Sequence, residues 1–158
     1  MQGIRLLFVG KTDASEIRTL MEQYTKRLAH FVPFECAEIP DIRNTKSLSQ
    51  EEQKRKEGEH ILSQVGNQDA LILLDERGRE FTSREFADYI EQKMNTLPRR
   101  LIMVVGGPYG FSPEVYERAD GKVSLSRMTF SHQMVRLFVI EQLYRAFTIL
   151  NGHPYHHD

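Results

Sequence analysis

Three places in the chain carry side chains unlike those of an ordinary core or surface. The C-terminus reads NGHPYHHD, so that His153, Tyr155, His156, His157 and Asp158 crowd into its last residues. Asp75 follows directly on the apolar run LILL, and Gly106 and Gly107 open the stretch GGPYGFS after a second apolar run. The tail offers proton-transfer groups and metal-capable nitrogens. Asp75 can hold a ribose hydroxyl or an amine, or it can cap a turn. Gly106 and Gly107 let main-chain amides approach a ligand, or they make a tight turn into the next helix. Arg136 joins these groups, because at about 100° per residue it falls among Ile140, Leu143 and Phe147. A guanidinium there must be paired or must face an anion.

Metal chemistry is the poorer reading of the tail. Adjacent residues of an extended chain point in opposite directions, and the spacing matches neither a helical HExxH pattern nor a zinc finger. No metal is expected. GGPYGFS lacks the Lys-Ser/Thr of a phosphate loop, and its glycines do not follow the dinucleotide spacing. A disordered end is the default for a terminus, and composition alone leaves that reading of the tail open.

Such groups need a frame, and the apolar pattern supplies one. Residues 4–9 read as a buried strand, followed by a helix over 15–30 with Ile17, Leu20, Met21, Tyr24 and Leu28 on one face. Residues 34–39 form a second strand that Pro40 ends. The polar, basic stretch 41–49 predicts a mobile surface loop. Ser49 and Glu52 make a capping box for a charged helix to about residue 65. There Arg43, Lys46, Lys54 and Arg55 either contact RNA or form a solvated face. The run 70–74 is uninterrupted, as in a parallel strand covered on both faces. Thr82 and Glu85 form a second box for a helix to about 96, with Phe86, Ile90 and Met94 inward. Residues 101–105 repeat the buried strand pattern, after which Ser112 caps a helix and Pro113 takes its first turn. The last helix, over 132–150, is apolar nearly all round and calls for a second partner surface, hence a dimer. Within it Glu141, Arg145 and Thr148 share a polar arc.

Five βα alternations predict an α/β fold, a mostly parallel sheet flanked by helices on both faces. Ligands of such sheets bind beyond the carboxyl ends of the strands. That rule selects LLDERG, GGPYGFS and the segment SLSRMTFSH before the last helix.

With 158 residues, the chain is expected to form one domain over 1–158. Its 27% charged and 40% hydrophobic residues exclude a disordered chain, and a net charge of −1 leaves nucleic acid neither favoured nor excluded. Residues 99–158 carry seven Lys/Arg against five Asp/Glu, and four of the six histidines. An anionic partner should meet that half. Cys36 is the only cysteine, which excludes an intrachain disulfide and suits a cytoplasmic location. It reads as a buried apolar residue. The apolar run near the N-terminus is too short for a signal sequence or a membrane span, so no membrane partner is expected.

The segments LLFVGK, FECAEIP, KEGEHIL, LILLDERG, VVGGPYGFS, LSRMTFSHQMVRLFVIEQLYRA and NGHPYHHD carry a resemblance. Over essentially its whole length the sequence resembles the RlmH family of SPOUT methyltransferases, which methylate N3 of a pseudouridine in 23S rRNA of the assembled ribosome. The resemblance implies a fold whose C-terminal part is threaded as a trefoil knot, a homodimer, and S-adenosyl-L-methionine as cofactor. It assigns cofactor binding to Leu74, Asp75, Gly106, Gly107, Pro108, Leu125, Ser126, Arg127, Met128, Thr129, Phe130 and Ser131. Tyr155, His156, His132 and Arg136 become the catalytic candidates, with the tail of one subunit near the cofactor of the other. Tyr155 and His156 are expected to position a base or relay a proton, and Arg136 or Arg145 to meet an anion. One departure is visible. The family tail usually runs His-Arg-Glu after the tyrosine, whereas here His157 and Asp158 follow His156. Two other readings stay open, a non-catalytic RNA-binding or ribosome-assembly module and a SPOUT enzyme acting on tRNA.

Overall fold

A computed structural model describes residues 3–42, 45–96 and 99–158. Five strands, β1 (Ile4–Val9), β2 (Phe34–Ile39), β3 (Ala70–Glu80), β4 (Leu101–Val105) and β5 (Gly121–Ser124), form one sheet in the order β2-β1-β4-β3-β5. Every pairing is parallel. The helices α1 (Ser15–Leu28), α2 (Gln50–Ser63), α3 (Ser83–Thr96), α4 (Pro113–Arg118) and α5 (Met134–Leu150) cover both faces. Alternation along the strands sorts side chains between the two layers. Leu6, Phe8, Ile72 and Met103 pack with α1, α3 and α5, whereas Leu7, Leu71, Leu73 and Val104 pack with Ile61 of α2 and Val115 of α4.

The helices start where their caps predict. Ser49 Oγ accepts the Glu52 amide at 3.1 Å. The Thr82 box is reciprocal, with Glu85 N donating to Thr82 Oγ1 at 3.1 Å and Thr82 N to Glu85 Oε1 at 2.8 Å. Each such cap is worth about 1 kcal/mol.

Several expectations are corrected. α1 ends at Leu28 and α2 at Ser63, each two residues earlier than expected, and α5 begins at Met134 rather than at residue 132. β3 does not stop at Leu74. It runs on to Glu80 through a register shift between Leu74 and Arg79, and pairs with β5. Gly78 permits this, since a Cβ there would stand 2.6 Å from Val123 N. β5 itself lies in a stretch that the apolar pattern did not place, because only Val123 and Ser124 of its four residues are buried. In the stretch 41–49, Thr45–Ser47 form a short 3-10 turn, and Arg43 lies outside the described residues.

α5 finds much of its second surface within the chain. It lies between α1 and α3 and buries Val139, Ile140, Leu143, Ala146 and Phe147. Met134 and Phe138 remain exposed, as do Met128 and Phe130 just before the helix. Among the described residues, no helix is long and apolar enough to cross a membrane. Cys36 is half-buried, and burial pushes its thiol up to about 12, which leaves it an inert packing group.

Candidate active site

All five strands point the same way, so their carboxyl ends share one edge of the sheet. A cavity of about 570 Å³ opens there, in the size range of small-molecule sites, about 300–1,000 Å³. β3 contributes Leu74 and Asp75, and the turn after β4 contributes Gly106, Gly107 and Pro108. The crossover from β5 to α5 adds Leu125, Ser126, Arg127, Met128, Thr129 and Phe130, and His132 stands at its end. The three segments selected by the topology rule therefore meet in one place.

The turn after β4 is tight for physical reasons. A Cβ at Gly106 would lie 2.9 Å from the Phe111 ring, and one at Gly107 would lie 2.9 Å from Glu57 Oε1. Gly110 adopts φ 82° and donates to the Gly107 carbonyl at 3.3 Å. Ser112 then caps α4, with its Oγ accepting the Val115 amide. Across the cavity both oxygens of Asp75 are engaged within the chain. Oδ1 accepts the Arg77 amide at 2.8 Å, which caps the turn, and Oδ2 accepts the Tyr116 hydroxyl. Burial and that carboxylate push Tyr116 up to about 12, so it remains a donor. Lys54 also reaches the cavity while paired with Glu51 at 3.0 Å, whereas Lys46 and Arg55 are exposed.

Three sets of expected site residues lie elsewhere. Ser131 does not line the cavity. Its Oγ accepts the amides of Gln133 and Met134 and caps α5. Arg136 is buried at 2% exposure, and its guanidinium donates to the carbonyls of Val9 and Gly10 and to Thr12 Oγ1 at 2.8–2.9 Å. Glu38 lies 3.8 Å away. Burial lowers the Arg136 pKa, with Glu38 opposing. The arginine is thus paired, as its position on the helix demanded, and fastens α5 to the end of β1 instead of facing a ligand.

The tail forms the third set. After Gly152, at φ 70°, the chain turns back along α5. His153 packs edge-on against Phe31, and Tyr155 against Tyr144 at 4.7 Å. The Tyr155 hydroxyl donates to Glu141 Oε2 at 3.1 Å and the Arg145 guanidinium lies 4.8 Å over its ring. Burial, with Tyr24 and Glu141 alongside, raises the Tyr155 pKa, so the phenol keeps its proton. Arg145 Nη1 lies 3.1 Å from His156 Nδ1. Because a guanidinium only donates, Nδ1 accepts and Nε2 carries the hydrogen that meets Asp158 Oδ1 at 3.0 Å. Asp158 is in turn paired with Arg84 at 2.8 Å. The tail is ordered, yet Tyr155 sits beside Glu141, six residues along α5 from the cavity-lining Val135. That is about 9 Å of helix axis.

Sequence reasoning passed over Glu141 as the hub of this network. It placed Glu141 and Arg145 in one polar arc, which their ion pair at 2.9 Å bears out, but Thr148 of the same arc is buried. Tyr24, Tyr116 and Glu57 had no local signal, since each acts through a residue distant in the chain. Among the described residues, no three His, Cys, Asp or Glu side chains converge as a metal-ligand set.

A family profile described as "Predicted SPOUT methyltransferase" matches residues 1–156. A protein of Christiangramia forsetii named Ribosomal RNA large subunit methyltransferase H is 59% identical over 154 residues, 98% of each chain. Its namesake in Parabacteroides distasonis is 57% identical over 155 residues, 98% of this chain and 99% of that one. The chain belongs to the RlmH family of SPOUT methyltransferases. Among solved structures, this RlmH-family chain is similar to a probable methylase family protein from Haemophilus influenzae Rd KW20. The TM-score is 0.54 at 13% identity, over 99% of this chain and 71% of that one. That likeness concerns the fold alone, and it agrees with the parallel sheet flanked by helices. The match to the SPOUT methyltransferase profile takes in all three cavity segments and Tyr155 and His156, and stops short of His157 and Asp158.

Proposed function

We propose that the protein transfers a methyl group from S-adenosyl-L-methionine to N3 of a pseudouridine in 23S rRNA within the ribosome, acting as a cytoplasmic homodimer. The observation that carries the reading is the meeting of all three strand-end segments in one cavity, in a chain whose relatives bear an rRNA methyltransferase name. The cavity suits this cofactor chemically. Leu74, Leu125 and Phe130 offer apolar walls for a base ring, Asp75 can accept from hydroxyl groups, and the main chain at 106–108 can approach closely. When bound, the cofactor supplies a methyl group on a sulfonium that carries its own leaving group.

The chain's own work is to orient the two reactants, exclude water and manage the proton at pseudouridine N3. His132 stands on the cavity wall as the local imidazole. Tyr155 and His156 present protonated Oη and Nε2 atoms, suited to stabilising charge on the carbonyls that flank N3. Tyr155 meets Glu141, about 9 Å along α5 from the cavity-lining Val135 of its own chain, so the reading assigns these donors to the cavity of a second copy. The exposed Met128, Phe130, Met134 and Phe138 beside the cavity provide apolar surface for that copy. The threading of the C-terminal segment as a knot belongs to the same proposal. A net charge of −1 gives no general attraction to phosphate, which favours a substrate already shaped by the ribosome.

Incubation with labelled cofactor and intact ribosomes, free 23S rRNA or tRNA tests the reading. Label is expected in the 23S rRNA of ribosomes, at N3 of a pseudouridine. Label on tRNA, or on none of the three, overturns it.

A further inference from the structure

We propose that Glu57 is a positioning residue for the glycine turn, its carboxyl forming the back wall on which Gly107 is seated so that residues 106–108 face the cofactor. The proposal rests on the cofactor reading of the cavity. Glu57 lies on the inner side of α2 at 5% exposure. Oε2 accepts from Gln53 Nε2 at 3.2 Å, and Oε1 is buried without any hydrogen-bond partner. No cation is paired with it among the described residues.

A carboxyl held in this way costs stability, so folding alone does not explain it. What the group touches does. A Cβ on Gly107 would lie 2.9 and 3.0 Å from the two carboxyl oxygens, so the turn and the acid are in direct contact. The wall is also rigid. Gly58, the next residue, seats α2 on the start of α4, where a Cβ would meet Ser112 Oγ at 2.5 Å and Val115 Cγ2 at 3.1 Å. Lys54, one turn earlier on α2, reaches the cavity itself. α2 therefore spans from the ligand space to the rear of the turn that borders it. Burial raises the Glu57 pKa, with the Gln53 hydrogen bond opposing and Asp41 adding to the effect.

The test is a double-mutant cycle on the full-length protein, read by calorimetric binding of S-adenosylmethionine and by KM and kcat on ribosomes. Glu57→Ala should raise the cofactor Kd and KM at least about tenfold while kcat at saturation changes less than about threefold. Glu57→Gln, of the same shape, should return both to within about threefold of wild type. Gly107→Ala should weaken binding about tenfold or more alone, yet cost less than about threefold on top of Glu57→Ala, because the methyl enters the vacated space. Circular dichroism without ligand checks folding. Should Glu57→Ala not fold, Glu57→Asp, which withdraws the carboxyl by one methylene, carries the same expectation. Unchanged cofactor affinity in the Glu57 variants, or an equal Gly107→Ala penalty in both backgrounds, overturns the proposal while leaving the cofactor reading intact. Failure of the wild-type protein to bind the cofactor overturns both.

Discussion

Tyr155 makes the sharpest residue-scale case. Its hydroxyl keeps its proton and points at Glu141, so it acts as a donor, and its ring is held by Tyr144 and Arg145 independently of the hydroxyl. Tyr155→Phe should therefore leave the fold and cofactor affinity unchanged while turnover on ribosomes drops by about tenfold or more. Single-turnover kinetics would show this, and a smaller loss would remove Tyr155 from the chemistry. Glu57 gives a second prediction, about stability. Its folded pKa lies above the ordinary value, so the folded protein holds this proton to higher pH than the unfolded chain does. Stability is then drawn down as pH rises above about 4.3, until the folded pKa is passed. Glu57→Gln should melt higher than wild type at neutral pH, and the two melting curves should converge below about pH 4. A constant offset at every pH would contradict this origin.

At the scale of elements, the buried arginine and a buried aspartate hold the ends of helices and strands to one another. Arg136→Met would leave the Val9 and Gly10 carbonyls and Thr12 Oγ1 without their donor, at a cost of about 3 kcal/mol or more in urea unfolding. A loss under about 1 kcal/mol would mean that water replaces the guanidinium. Asp69 accepts from Gly66 N at 2.8 Å and from the Arg100 guanidinium at 3.0 Å, which joins the end of α2 to the start of β4. Burial alone would raise its pKa, but these bonds outweigh burial and hold it below the ordinary value. Its contribution is present above about pH 3.9 and is lost as pH falls through the folded pKa. Asp69→Asn should lower stability at neutral pH and flatten the acid limb of the pH profile. These elements were largely legible in the sequence. The two capping boxes and the four apolar runs announced themselves locally. The extension of β3 to Glu80 and the strand Gly121–Ser124 did not, because their partner is each other and polar edge strands lack an apolar run.

For the whole molecule, the separation of tail and cavity within one chain makes a specific claim about assembly. If each active site combines a cavity from one copy with a tail from another, two defective variants should complement. Mixing a cavity variant, Gly106→Val, with Tyr155→Phe under conditions of subunit exchange should restore about a quarter of wild-type activity, since random pairing makes half the dimers mixed with one intact site each. No gain over the separate variants would place the tail and cavity in independent roles. Legibility of the site followed the same division. The strand-end rule found Leu74, Asp75, Gly106 and Gly107, because parallel strands end at one edge. It could not find Glu57 or Tyr116, which reach that edge from neighbouring helices.

The amino-acid sequence by itself determined four of the five strands and the helices that follow them, the capped starts of α2, α3 and α4, the demand that Arg136 be paired and the segments at the strand ends. Those properties depend on neighbours within a few residues, through periodicity, capping and burial. Only the tertiary structure decided that Arg136 spends its donors on β1, that Ser131 caps α5, and that Glu57 stands behind Gly107. It also decided that NGHPYHHD folds along α5 as an ordered donor array. Each of these rests on a contact between residues far apart in the chain, and no local pattern encodes which distant acceptor or wall a side chain will meet.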